Sequence, residues 1–187
     1  MWSAAVLAGG KATRFGGRDK SALLVDGRPI LDRQMEVLSS VAAEVLVVRE
    51  DLVPGCGPLG GIHTALMRAR HEATFVLACD MPFVTAPLAA HLLTLSASAD
   101  LVVPCTERGY HPLCAVYRRT CLDAIVRRLA DRRLKMTDMF SDVRVREVSA
   151  HELEAFGDPR RLLANVNTPA DFAELAALHG HKGGHKA

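Results

Sequence analysis

Residues 9–20, Gly9-Gly10-Lys11-Ala12-Thr13-Arg14-Phe15-Gly16-Gly17-Arg18-Asp19-Lys20, place four glycines and four cations in one short stretch. Glycine lets backbone come close to a ligand, and clustered amide N–H groups can cradle an anion. Arg14 can fork onto phosphate oxygens, while Lys20 offers a movable point charge. The stretch is neither a Walker A loop nor a GxGxxG turn, because the closing lysine–hydroxyl pair and the glycine spacing are both missing. It reads as a phosphate cradle, the plainer reading being a solvated surface turn. A second chemical signal is Asp80 in Cys79-Asp80-Met81-Pro82, a carboxylate directly after an apolar run. Mg²⁺ takes one or two protein carboxylates and completes its shell with water and phosphate oxygens, so Asp80 is the candidate metal ligand. The alternative for Asp80 is a helix N-cap, but Thr85 stands closer to the next helical segment.

Several further residues have two readings each. Gly57-Pro58-Leu59-Gly60-Gly61-Ile62 is a tight turn before a helix and also a helix start that can approach a ligand closely. His111 has no second His or Cys at ligand spacing, so it reads as structural or substrate-adjacent. Asn165 and Asn167, two apart on an extended stretch, point the same way and either hold a loop or meet a ligand. The five cysteines form no CxxC pair and read as buried, reduced thiols.

These residues need a scaffold. Continuous apolar runs at 3–8, 44–48 and 73–79 read as strands covered on both faces. Shorter strands are expected at 101–103, 113–117 and 143–148. Helical spacing marks 29–41, 60–70, 87–96 and 120–130, and Thr168-Pro169 caps and opens a last helix to Leu178. This alternation predicts an α/β fold with a mostly parallel central sheet flanked by helices. Such sheets bind ligands beyond the carboxyl ends of their strands. The glycine-rich stretch, Arg49-Glu50-Asp51 and Asp80 all follow predicted strands.

The chain has 187 residues, 49% of them apolar and 24% charged, with a net charge of +2. One domain over residues 1–178 is expected, with a flexible basic tail at 179–187. The charge is too balanced to imply nucleic-acid binding, and no apolar run nears the roughly 20 residues that span a bilayer. The opening apolar stretch reads as a first strand, not a signal peptide, and a cytoplasmic location is expected.

Leu7–Lys20, Gly57–Ile62, Cys79–Phe83, His111–Leu113 and Asn165–Pro169, in that order, resemble the molybdenum cofactor guanylyltransferases, within the nucleotidyltransferases of the Rossmann-like glycosyltransferase-A type fold. The resemblance runs from about residue 4 to residue 178. It implies transfer of GMP from GTP to the terminal phosphate of molybdenum-molybdopterin, with release of pyrophosphate, assisted by Mg²⁺. It implies that Leu7, Ala8, Gly9 and Gly10 contact the nucleotide, that Arg14 and Lys20 bind its phosphates, and that Asp80 holds the metal. Arg49 and Asp51 fall where nucleoside contacts are expected, on a connection shorter than is usual in the family. Arg132 and Arg133 resemble an arginine pair that meets the pterin phosphate, and Asn165 and Asn167 resemble asparagines near the pterin. Implied partners are the two substrates and transient contacts with other cofactor-biosynthesis proteins or apo-molybdoenzymes, with no nucleic acid and no membrane. A cytidylyltransferase for the same pterin, or a nucleotidyltransferase for another phosphate, is the alternative. Relatives using CTP tend to read LAAG where this chain has Leu7-Ala8-Gly9-Gly10, which favours GTP. A non-catalytic nucleotide-binding module is the remaining reading, and the presence of both Lys20 and Asp80 argues against it.

Overall fold

A computed structural model describes residues 1–9, 24–25 and 27–177. Gly10, Arg14, Lys20 and the tail 179–187 lie outside the described residues. The first strand, β1 (Ser3–Leu7), pairs in parallel with β4 (Glu44–Val48) on one side and β5 (Ala73–Ala78) on the other. Beyond β5 the sheet continues through β8 (Cys114–Arg118), β6 (Leu101–Thr106) and β9 (Val145–Ser149). β8 is antiparallel to both its neighbours, whereas β6 and β9 pair in parallel. β6 also pairs with the short β7 (Gly109–Tyr110) through a tight turn. Two residues each of β2 (Leu24–Val25) and β3 (Arg28–Pro29) form a separate ladder. The expected parallel sheet is therefore present, with one return strand wedged into it.

Alternate residues of the strands feed two cores. Ala4, Val6, Phe75, Leu77, Val102, Cys114 and Val116 pack beneath Leu38 of α1 (Ile30–Ser39) and Leu88 and Leu92 of α3 (Ala86–Leu95). Ala5, Leu7, Val76, Leu101, Val103, Ala115 and Tyr117 pack beneath Leu59, Ile62 and Leu66 of α2 (Gly57–Arg68) and Ile125 and Leu129 of α4 (Leu122–Ala130). Burial of both faces is the reason β1 and β5, every residue of which is buried, are almost wholly apolar.

Helix starts follow their local chemistry. α2 begins at Gly57, three residues earlier than the periodicity predicts, because Pro58 sits in the first turn where its missing N–H costs least. Two four-residue helices, α5 (Ala150–Leu153) and α6 (Pro159–Leu162), are capped by Ser149, in a reciprocal box with Glu152, and by Asp158. The last helix, α7 (Pro169–Ala177), follows Thr168, whose hydroxyl accepts from Asp171 N–H at 3.1 Å. The Asp171 carboxylate accepts from Thr168 N–H and Asn167 N–H in return. Thr85 precedes α3 but makes no side-chain cap; its buried hydroxyl has no hydrogen bond to another described residue.

None of the five cysteines, all among the described residues, forms a disulfide; Cys56, Cys114 and Cys121 are buried and Cys79 and Cys105 half-buried. Burial pushes the Cys114 thiol up to about 12, so it stays protonated at neutral pH. Among the described residues no helix is long and apolar enough to cross a membrane.

Candidate active site

The carboxyl ends of β1, β4 and β5 lie side by side. Ala8 N–H donates to Val48 O at 2.8 Å, and Cys79 N–H donates to Leu7 O at 3.2 Å. Ala8, Gly9, Arg49 and Asp80 therefore share one edge, as the loop positions in the sequence predict. Gly9 is required there by the protein itself. A Cβ at this position would stand 2.6 Å from the Arg49 carbonyl oxygen, closer than any side chain tolerates. The glycine fixes how tightly β1 and β4 converge before any ligand is considered.

Asp51 follows β4 and lies against the start of α2. A Cβ on Gly60 would stand 3.2 Å from one Asp51 carboxylate oxygen, and a Cβ on Gly61 would stand 3.5 Å from the other. The two glycines thus let the helix begin beside the carboxylate. Leu52 N–H and the Thr64 hydroxyl (2.8 Å) pin the preceding turn to α2. Asp51 is half-buried, and desolvation alone raises its carboxyl above the usual carboxylate value. It makes no hydrogen bond or ion pair to another described residue, which leaves both oxygens able to accept from a ligand's N–H or O–H groups.

Arg132 and Arg133 reach different neighbours. α4 ends in a Schellman motif: Arg133 N–H donates to Arg128 O at 2.9 Å and Arg132 N–H to Leu129 O at 3.2 Å. Arg132 occupies the left-handed position of that motif (φ 56°), where glycine is usual. The resulting reversal sends the two side chains apart. Arg132 Nη1 donates to Cys56 Sγ at 3.4 Å, at the start of α2, while Arg133 faces Asp138 at 3.7 Å. The expected arginine pair is thus split, and only Arg132 sits at the α2 start beside the Asp51 turn.

Asp80 is half-buried immediately beyond β5. Its carbonyl accepts from Val166 N–H at 2.7 Å, which draws the 165–167 stretch against it. Val166 is buried among Ile30, Phe83 and Ala164, so Asn165 and Asn167, both exposed, flank it on the outward side. The structure thereby brings the two asparagines to the Asp80 turn. Among the described residues no group of three or more His, Cys, Asp or Glu gathers into a ready-made metal cage. A single carboxylate on an edge suits Mg²⁺, which draws its other ligands from water and substrate phosphates.

One residue of this site has no signal in the sequence pattern. Gln34 of α1 is only 3% exposed, and its Nε2 donates to Ala78 O at 2.8 Å and Met81 O at 3.1 Å. Both partners are carbonyls, so the nitrogen must face them. Gln34 therefore ties together the two ends of the turn that carries Asp80. The only local hint is a polar residue between Ile30 and Leu38 on the buried stripe of α1.

His111 stands near the same edge. Its Nε2 lies 2.9 Å from the Thr106 hydroxyl, its N–H donates to Pro104 O, and its carbonyl accepts from Cys114 N–H. Burial first, and then the Arg108 charge, lower its proton affinity below the ordinary imidazole value and favour the neutral ring.

Comparisons with known proteins agree with this geometry. Residues 4–145 match the family described as "MobA-like NTP transferase domain". The chain is 34% identical to the molybdenum cofactor guanylyltransferase of Desulfosudis oleivorans, over 92% of this chain and 93% of that protein. It is 36% identical to a probable molybdenum cofactor guanylyltransferase of Pelotomaculum thermopropionicum, over 92% and 91% of the two chains. Among solved structures, molybdopterin-guanine dinucleotide biosynthesis protein A of Archaeoglobus fulgidus superposes with a TM-score of 0.80 at 25% identity, covering 95% of this chain and 98% of that one. A 2-C-methyl-D-erythritol 4-phosphate cytidylyltransferase of Thermus thermophilus, at 16% identity and a TM-score of 0.65 over 94% of this chain and 98% of that one, shares the fold alone. With three-quarters of its length inside the family profile and two close relatives spanning nearly all of it, the chain belongs to the MobA-like NTP transferase family.

Proposed function

We propose that this nucleotidyltransferase moves GMP from GTP to the terminal phosphate of molybdenum-molybdopterin, giving molybdopterin guanine dinucleotide and pyrophosphate. The observation that carries the reading is the shared edge of Ala8, Gly9, Asp51 and Asp80, in a chain whose relatives bear the guanylyltransferase name. An acceptor phosphate oxygen forms a bond to the α-phosphorus as the bond from that phosphorus to the β-bridging oxygen breaks. The acceptor is already ionised near pH 7, so neither a nucleophilic side chain nor a strong base is needed. What remains is to bring two anions together and hold them in line.

The chain's own residues divide that work. Leu7, Ala8, Gly9 and Gly10 line the nucleotide, and Asp51 accepts hydrogen bonds from the nucleoside. Arg14 and Lys20 counter the triphosphate charge. Arg49 closes the far side of the glycine turn, and Arg132 presents its guanidinium at the start of α2. Asp80 is the residue that would hold Mg²⁺, with Asn165 and Asn167 beside it on the acceptor's side. Bound there, the ion would neutralise phosphate charge and stabilise the leaving pyrophosphate.

Pyrophosphate release, measured with Mg²⁺, molybdopterin and each of the four NTPs, tests the reading. GTP is expected to be used far better than CTP, ATP or UTP. Equal or preferential use of CTP would replace guanylyl transfer with cytidylyl transfer.

A further inference from the structure

Two opposite charges stand at the start of α2 without meeting. Asp51 enters from the β4 side and Arg132 from the end of α4, and neither makes an ion pair to another described residue. Contacts along the helices fix both. α2 and α4 run antiparallel: Arg132 Nη1 meets Cys56 just before α2, and the Arg119 guanidinium meets Ala69 O just after it. A Cβ on Gly60 would stand 3.2 Å from an Asp51 carboxylate oxygen and also 3.2 Å from Cys56 Cβ. One bare glycine therefore separates the carboxylate from the residue whose thiol Arg132 touches.

Arg132 holds its place under backbone strain. Its φ of 56° lies in the left-handed region, where a Cβ is crowded and glycine is not. Its side chain is exposed, and its one hydrogen bond among the described residues goes to a weak acceptor, the Cys56 sulfur. Strained residues of this kind gather at ligand sites.

The two charged groups ask opposite things of a ligand. An ionised carboxylate only accepts hydrogen bonds, and a guanidinium only donates them. A planar base that satisfies both must carry two adjacent donors on one edge and acceptors on the next. Guanine does so: N1–H and the N2 amino group stand side by side, and O6 and N7 follow on the edge onto which arginine forks. Adenine and cytosine each have one amino group, beside a ring nitrogen that would face the carboxylate lone pair to lone pair. Uracil has a single N–H between two carbonyls.

We propose that Arg132 is a base-specificity residue, donating to guanine O6 and N7 while Asp51 accepts from N1–H and the N2 amino group. The assignment rests on the nucleotidyl-transfer reading. It moves Arg132 from the pterin phosphate, where the motif resemblance puts it, to the base of the nucleotide.

The experiment measures pyrophosphate release by the full-length protein with Mg²⁺ and molybdopterin, varying GTP, CTP, xanthosine triphosphate or 7-deaza-GTP, in which C–H replaces N7. In the native protein 7-deaza-GTP is expected to raise the nucleotide KM about tenfold over GTP. Arg132→Gly suits the left-handed backbone and removes only the side chain. It is expected to raise the GTP KM roughly 10- to 100-fold, the size of a lost charged hydrogen bond, with the molybdopterin KM unchanged and the 7-deaza penalty gone. Arg132→Lys is expected to recover little, because a point charge cannot fork onto O6 and N7. Asp51→Asn is expected to exchange the preference from GTP to xanthosine triphosphate, whose C2 carbonyl accepts from the new amide. Equal losses for GTP and 7-deaza-GTP in Arg132→Gly, a rise confined to the molybdopterin KM, or no gain for xanthosine triphosphate in Asp51→Asn would overturn the assignment and leave guanylyl transfer standing. Preference of the native protein for CTP would overturn guanylyl transfer and the assignment with it.

Discussion

At the amino edge of the central sheet, Asp100 accepts from Arg144 N–H and Nε, from its Nη2 and from the Thr120 hydroxyl. Farther along the same edge, beyond β8 and β5, the buried Ser3 hydroxyl donates to Glu44 at 2.7 Å and lies 3.0 Å from His71 Nδ1, while Arg70 closes on the other side of Glu44. At the carboxyl edge, Asp51 has no such partners among the described residues, and Arg132 reaches only a thiol. The proton affinities follow. Hydrogen bonds from Arg144 hold the Asp100 carboxyl well below the usual carboxylate range, whereas desolvation raises that of Asp51. One edge has satisfied its charges with protein and stabilises the fold. At the other, Asp51 has no partner among the described residues, which on the proposed reading leaves its carboxylate to substrate.

This contrast can be broken or sharpened by exchanging what is measured at each edge. The largest effect is expected for Asp80→Asn: turnover falls by about 10³-fold or more, for loss of several kcal/mol of charge stabilisation, with the thermal midpoint unchanged. Near-normal turnover would place the metal elsewhere. Gln34→Met leaves the Ala78 and Met81 carbonyls without their shared donor. It is expected to lower kcat about tenfold and to raise the Mg²⁺ concentration needed for half-maximal rate, while the GTP KM changes little. A loss of stability with unaltered kinetics would reduce Gln34 to a packing role.

Asp100→Asn should do the reverse of Asp80→Asn. It is expected to remove about 2 kcal/mol of stability while sparing kcat, since it weakens several hydrogen bonds to a charged group far from substrate. Its pH dependence follows in sign. The folded-state pKa of Asp100 lies below its ordinary value of 3.8, so its stabilisation is present above that pH and is lost as pH falls toward the folded value. Thermal unfolding across acid pH should therefore be steeper in the native protein than in Asp100→Asn.

Much of the carboxyl edge was legible because its signals are local. Apolar runs ending at Leu7, Val48 and Ala78 mark strand ends, and Asp80 and Asp51 come just after them. The Thr168 cap was equally readable, since its partner Asp171 is three residues away. What escaped depends on distant chain. Gln34 looks like any polar helix residue until β5, 44 residues later in sequence, brings two carbonyls over it. The antiparallel insertion of β8 rests on pairings with β5 and β6 that no periodicity encodes. Adjacent arginines look equivalent in sequence, yet the Schellman turn after α4 sends Arg132 and Arg133 to different neighbours. Gly9 was legible as important but for another reason: the close backbone it admits is that of Arg49.

The claim that the carboxyl edge of β1, β4 and β5 is the nucleotide site is tested most directly by thermal unfolding with Mg²⁺ and GTP or CTP. Measurements are made on the native protein, Asp51→Asn and Asp100→Asn. At a ligand concentration about a hundredfold above its Kd, GTP should stabilise the native protein by about 2.7 kcal/mol, and Asp100→Asn by the same increment from a lower start. Asp51→Asn should show a smaller increment from an equal or higher start. An undiminished GTP response in Asp51→Asn, together with a lost one in Asp100→Asn, would put the nucleotide at the opposite edge.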